Sequence, residues 1–139
     1  MFRFIDSIAA RSEGLWLLLG RICIGALFVP SGYGKLTGPG ITAMLTAKGA
    51  PAPEILALVA GAVELLGGLA ILVGFKTRLA ALVMIVFTIV ATLLAHQYWM
   101  LDGPARYPQY IQFYKNLAII GGFLFIFVRG AGPISLDRR

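Results

Sequence analysis

The chain has 139 residues, of which 59% are hydrophobic and 13% charged, and its mean hydropathy is +0.87. Soluble globular chains run near about 45–50% apolar and about 25% charged. The surplus of apolar residues excludes disorder, and so small a water-soluble body has too much surface to hide it. The composition therefore predicts an all-α integral membrane protein with room for four spans of ~20 residues. One cysteine, Cys23, excludes an internal disulfide, a CxxC motif and a thiolate cage. One histidine, His96, excludes bis-histidine haem ligation, and no metal site is expected. The net charge of +6 reads as topology-setting basic residues near lipid headgroups, not as a nucleic-acid surface.

The first twelve residues carry Arg3 and Arg11 around Phe2, Phe4, Ile5 and Ile8, one face of a short interfacial helix. The first span covers approximately residues 13–33. It contains Arg21 and is followed by no A-x-A-like site, so it is read as a retained helix and not as a signal peptide. Residues 34–53 form a glycine-rich loop whose middle, Ile41–Ala47, suits a short helix on the membrane. The second span, approximately 54–75, starts behind Pro51 and Pro53, where proline costs least. The third, approximately 78–99, has no charge between Leu79 and Ala95. Only Lys76–Arg78 separates spans two and three, which forces an antiparallel hairpin. A polar, proline-punctuated connection, Leu101–Tyr110, precedes the fourth span at approximately 111–129, and the tail Gly130–Arg139 is loop-like. Continuous apolar runs of this length fit helices and exclude the alternating ~10-residue strands of a membrane barrel. The reading is a single domain, 1–139, built as a four-transmembrane-helix bundle.

Seven basic residues (Arg3, Arg11, Lys76, Arg78, Arg129, Arg138, Arg139) fall on one side of these spans, and three (Lys35, Lys48, Arg106) on the other. The positive-inside rule places both termini and the hairpin in the cytoplasm.

Charges inside spans cost about 2.5–3.5 kcal/mol each on insertion scales and tend to face a bundle interior with a function. Arg21, Glu64 and Lys115 are such charges. At 1.5 Å per residue, Arg21 and Glu64 lie roughly 14 Å and 16 Å above the cytoplasmic edge, with Lys115 roughly 21 Å up. The expectation is a buried cluster in which Glu64 pairs with Arg21 and Lys115 is near. A purely structural pair that fixes helix register is the other reading of the same pattern. Toward the opposite face gather Ser31, Tyr33, Lys35, His96, Gln97, Gln112 and Asn116, with aromatic residues from Tyr98 to Tyr114 around them. Apolar walls with a few polar anchors describe the mouth of a pocket, and the aromatic residues alone also fit an interface belt. The small-residue pairs Ala57–Gly61 and Ala118–Gly122 suit close helix packing. Gly34-Lys35 resembles the end of a phosphate-binding loop, but Leu36 stands where Ser or Thr belongs and Val29 where the first glycine belongs.

Three stretches carry a family resemblance: RICIGALFVPSGYGKLTG (Arg21–Gly38), VELLGGLAILVGFKTRLAAL (Val63–Leu82) and FYKNLAIIGGFLFI (Phe113–Ile126). His96 and the closing GPISLDR complete the pattern. Their order over nearly the whole chain resembles the DoxX family of small bacterial inner-membrane proteins. By that resemblance Arg21, Gly32, Lys35, Leu36, Glu64, Gly67, Gly68, His96, Lys115 and Asn116 sit on family motif positions. The resemblance implies a four-helix bundle in the bacterial inner membrane. It also links the chain to redox and oxidative-stress chemistry, since some members are described as the membrane subunit of a thiosulfate:quinone oxidoreductase. The function expected on that basis is an accessory or anchor subunit, not an autonomous enzyme. It would hold a quinone or similar aromatic between its helices at Arg21, Glu64, Lys115, Asn116, His96 and Lys35. Its partners would be lipid, a redox partner protein and further copies of itself. A small-solute transporter or sensor, and a scaffold for other membrane proteins, are the alternatives. No catalytic residue is assigned.

Overall fold

A computed structural model describes residues 2–138, with the side chain of Phe2 outside the description. The elements are α1 (Phe2–Arg11), α2 (Glu13–Thr37), α3 (Gly40–Ala47), α4 (Pro53–Val73), α5 (Thr77–Ala95), two 3-10 turns (Tyr98–Met100 and Gly103–Ala105) and α6 (Arg106–Arg129). Among the described residues, α2, α4, α5 and α6 are the four helices long and apolar enough to cross a membrane. Their chain order makes one end of the bundle, here the tail end, hold α1, the α4–α5 hairpin and residues 130–138. The other, the loop end, holds α3 and the 3-10 turns.

Two helices are longer than their apolar runs. α2 continues past Tyr33 to Thr37, so Lys35 belongs to its last turn and not to a loop. Thr37 Oγ1 donates back to the Tyr33 carbonyl there, 3.0 Å away. α6 starts at Arg106 rather than near Ile111, because Pro108 falls in its first turn, where no helical N–H is lost. Polar residues end a hydropathy window but not a helix, so both extensions were invisible to the apolar count.

α2 and α4 pack along a seam of alternating four- and three-residue steps: Arg21, Gly25, Phe28, Gly32 on one helix, and Ala57, Gly61, Glu64, Gly68, Ile71 on the other. This is the 3.5-residue period of left-handed helix pairs. Glycine makes it possible: a Cβ on Gly32 would lie 2.7 Å from the Leu65 Cα. On α6 the pair Ala118–Gly122 divides: Ala118 is exposed, while a Cβ built on Gly122 would lie an ordinary 3.7 Å from Ile24 Cδ1 of α2, and the buried residues of α6 are Phe123 and Ile126. The solid core fills the tail half, where Phe28, Ile71, Met84 and Phe123 meet, and the Phe28 and Phe123 rings lie 5.5 Å apart.

The tail is non-helical but docked. Leu136 N–H donates to the Val73 carbonyl (3.1 Å) and Asp137 N–H to the Gly74 carbonyl (2.8 Å), which satisfies the end of α4. The Asp137 carboxylate accepts from Lys76 N–H (2.8 Å), Thr77 N–H (2.8 Å) and Thr77 Oγ1 (2.7 Å), which caps the start of α5. The turn between them passes through Gly74 at φ +70°, where a Cβ would also strike Ser135 and Arg21. α1 leaves Phe4, Ile5 and Ile8 exposed on its surface, as an interfacial helix would.

Candidate binding cavity

The Cα–Cβ bonds of a helix tilt toward its own N-terminus, and long side chains follow them. α2 runs from the tail end to the loop end, and α4 runs the other way. A long side chain on α2 therefore points toward the tail end, and one on α4 toward the loop end. This geometry separates Arg21 from Glu64, against the expected pairing. Arg21 is buried and donates to carbonyls in the last turn of α4, Leu72 at 3.0 Å and Ile71 at 3.4 Å; its other terminal nitrogen donates to the Ile134 carbonyl of the tail. A cation at a helix C-terminus also meets the negative end of its dipole. Arg21 is thus a clamp joining α2, α4 and the tail.

Glu64 points the other way and meets Lys35, whose side chain leans back from the last turn of α2. Lys35 Nζ lies 2.5 Å from Glu64 Oε2 and donates to Ser31 Oγ, one turn earlier, at 2.8 Å. The Glu64 side chain is 5% exposed and that of Lys35 27%. A buried carboxylate next to an ammonium avoids the large cost of an unpaired charge in the span.

This pair borders a cavity of about 490 Å³ in the loop half, enclosed by α2, α3, α4, α5 and α6. Its walls are almost wholly apolar. The α3 helix closes it with Ile41, Met44 and Leu45. Exposed Leu56 and Val59 on α4 and exposed Val90 and Leu94 on α5 line it too, so it opens sideways toward lipid between these helices. Its polar groups fall at two poles. One is Ser31, Lys35 and Glu64 on α2 and α4; the other is Thr88 and His96 from α5 and its C-cap, with Lys115 and Asn116 on α6.

The second pole is built by a ladder along α5. Thr88 Oγ1 donates to the Met84 carbonyl (2.7 Å), Thr92 Oγ1 to the Thr88 carbonyl (2.6 Å), and Asn116 Nδ2 to Thr92 Oγ1 (2.9 Å). His96 Nδ1 shares a 2.7 Å hydrogen bond with Gln109 Oε1, leaving Nε2 as the ring nitrogen that bond does not engage. Lys115 lines the cavity but is exposed, not buried as the charge count implied.

The structure therefore brings Lys35, Glu64, His96, Lys115 and Asn116 to one cavity and leaves Arg21 outside it. Of the aromatic residues expected at the mouth, none lines it. Tyr98 instead packs edge-on against Trp99, Tyr110 and Phe113 at 5.2–5.4 Å, and these rings brace α6 beside the loop end. Thr88, Thr92, Gln109 and Asp137 escaped the sequence reading. The four-residue spacing of Thr88 and Thr92 in an otherwise apolar helix was their one visible sign.

These features define a four-span, all-helical membrane protein with a lipid-facing cavity and a buried ion pair. The DoxX family model matches residues 16–97, which include both members of that pair. Inner membrane protein YphA of Escherichia coli is 37% identical over 138 residues, covering 99% of this chain and 97% of the relative. Inner membrane protein YqjF of the same organism is 39% identical over 130 residues, covering 91% and 92%. The yeast ER-derived vesicles protein ERV29 is 26% identical over 97% of this chain but only 37% of its own length. No solved structure matches. The chain belongs to the DoxX family and is a multi-pass inner-membrane protein.

Proposed function

We propose that the protein is a membrane-embedded binding subunit whose cavity holds a quinone or similar lipid-soluble aromatic molecule, and that it acts as an accessory or anchor to a partner in membrane redox or oxidative-stress chemistry. The observation that carries this reading is the cavity of about 490 Å³ with apolar walls and polar groups at two poles. A volume within about 300–1,000 Å³, mostly apolar with few polar anchors, is what small-molecule sites share. A ring bearing oxygen at both ends suits two poles on different helix pairs. The Lys35 and Lys115 ammonium groups are the donors at those poles, with His96 beside Lys115. The opening toward lipid suits a ligand that travels in the bilayer. The seven-against-three distribution of basic residues supports a tail end in the cytoplasm and a cavity in the opposite half.

The test is a thermal-denaturation series in lipid nanodiscs with decylubiquinone and a short-chain menaquinone. Ligand at about 100 times its Kd stabilises the folded state by about 2.7 kcal/mol, several degrees for a chain of this size. Absence of a shift with either compound, at concentrations that saturate the bilayer, would sink the reading.

A further inference from the structure

The charges around the cavity do not balance. Lys35 is matched by Glu64, and Arg21 is spent on carbonyl oxygens at the tail end. That leaves Lys115, which has no hydrogen-bond or ion-pair partner among the described residues yet lines the cavity. It lies twelve residues from Gly103 and fourteen from Arg129, the limits of its span. At 1.5 Å per residue the whole segment is about 40 Å long, more than a hydrocarbon core of about 30 Å, so Lys115, roughly 21 Å from Arg129, lies in the loop-end third of that core. An ammonium on an apolar cavity wall favours an anion beside it, and intramembrane charges are normally matched by another group.

The chain itself cannot supply the match. Its six acidic residues are Asp6, Glu13, Glu54, Glu64, Asp102 and Asp137. Glu64 is paired with Lys35; the others sit at helix ends, in α1, in the tail or next to the 3-10 turns. A second copy would therefore bring no mid-span carboxylate to Lys115 either. The cavity that Lys115 lines has room for a counter-charge beside it.

We infer that the cavity's ligand carries a negative charge, a carboxylate or an acidic hydroxyl on an apolar body, and that Lys115 receives that charge while the apolar walls take the rest. This rests on the proposed binding role of the cavity and, within the lipid-soluble aromatics proposed there, selects an acidic compound over a neutral quinone. Asn116, on the adjacent position of α6, keeps one amide N–H beyond the one given to Thr92 and stands ready as a second donor. A neutral ligand of the same shape would leave the ammonium uncompensated.

The probe pair is 4-octylbenzoate and its neutral isostere 4-octylbenzamide, with decylubiquinone as a third compound. Binding is measured in nanodiscs of zwitterionic lipid by calorimetry, on the wild type, Lys115→Gln and Lys115→Arg. Lys115 is exposed and unpartnered, so both variants retain the fold, which circular dichroism and melting confirm. The expected result is at least about tenfold tighter binding of the benzoate than of the amide, because hydrogen bonds to charged groups are the stronger ones. Lys115→Gln abolishes that ratio and Lys115→Arg keeps it. Equal binding of benzoate and amide overturns the inference while leaving the cavity's binding role intact. So does binding of decylubiquinone without either benzoate or amide. A benzoate preference that survives Lys115→Gln overturns the assignment to Lys115. Failure of all three compounds removes the binding role, and the inference with it.

Discussion

Lys35 Nζ and Glu64 Oε2 lie 2.5 Å apart, across two antiparallel helices whose contact is set by glycine. Lys35 sits in the last turn of α2 and Glu64 at the middle of α4, so the pair ties the loop half of one helix to the centre of the other. Glu64 is buried and Lys35 half-buried, so removal of one partner strands the other beside apolar walls.

Glu64→Gln should therefore lower the unfolding free energy by about 3 kcal/mol, the usual cost of breaking a buried pair. Lys35→Met in the same background should restore most of it, since an apolar pair needs no counter-charge. Exchanging Arg21 and Glu64 should rescue neither single variant. Melting temperatures of the singles and doubles in one detergent check this; rescue by the Arg21–Glu64 exchange would contradict the geometry.

The Arg21 clamp predicts a different defect. Arg21→Met removes three hydrogen bonds to carbonyls of Ile71, Leu72 and Ile134. Hydrogen bonds to charged groups contribute about 1.5–3 kcal/mol each, and they are not additive here. The tail should loosen first, so limited proteolysis should cut between residues 130 and 138 in Arg21→Met and in Asp137→Ala, and spare the wild type. Hydrogen exchange at Thr77 should also quicken in Asp137→Ala, because its carboxylate holds that amide.

Two glycines of α2, two positions apart, should respond oppositely to alanine. A Cβ on Gly32 meets the Leu65 backbone, which cannot yield without parting α2 from α4. Gly32→Ala should therefore be strongly destabilising, comparable to overpacking at about 1–3 kcal/mol or more. No atom lies within 4 Å of a Cβ on Gly34. Gly34→Ala should stabilise by up to about 1 kcal/mol, the difference in helix propensity. A urea or thermal series that ranks the two the other way would refute the crossing.

Much of this molecule was legible in one dimension. An apolar chain with four long runs has few ways to satisfy its backbone in lipid, and helices satisfy it internally. The four spans, the hairpin between Val73 and Thr77 and the short α3 helix follow from that constraint and from glycine and proline placement. The motif residues from Arg21 to Asn116 also carry the family resemblance by themselves.

Which charge meets which was decided only in three dimensions. Counting helical rise put Arg21 and Glu64 in one layer, but rise locates Cα atoms and not the ends of long side chains. On antiparallel helices those ends lean apart or together by a full turn. That lean sends Arg21 to the end of α4 and brings Lys35 down onto Glu64. The scarcity of charge was a property of the sequence from the start. That Lys115 is left unmatched beside a cavity is a property of the packing, because it depends on where every other charge found its partner.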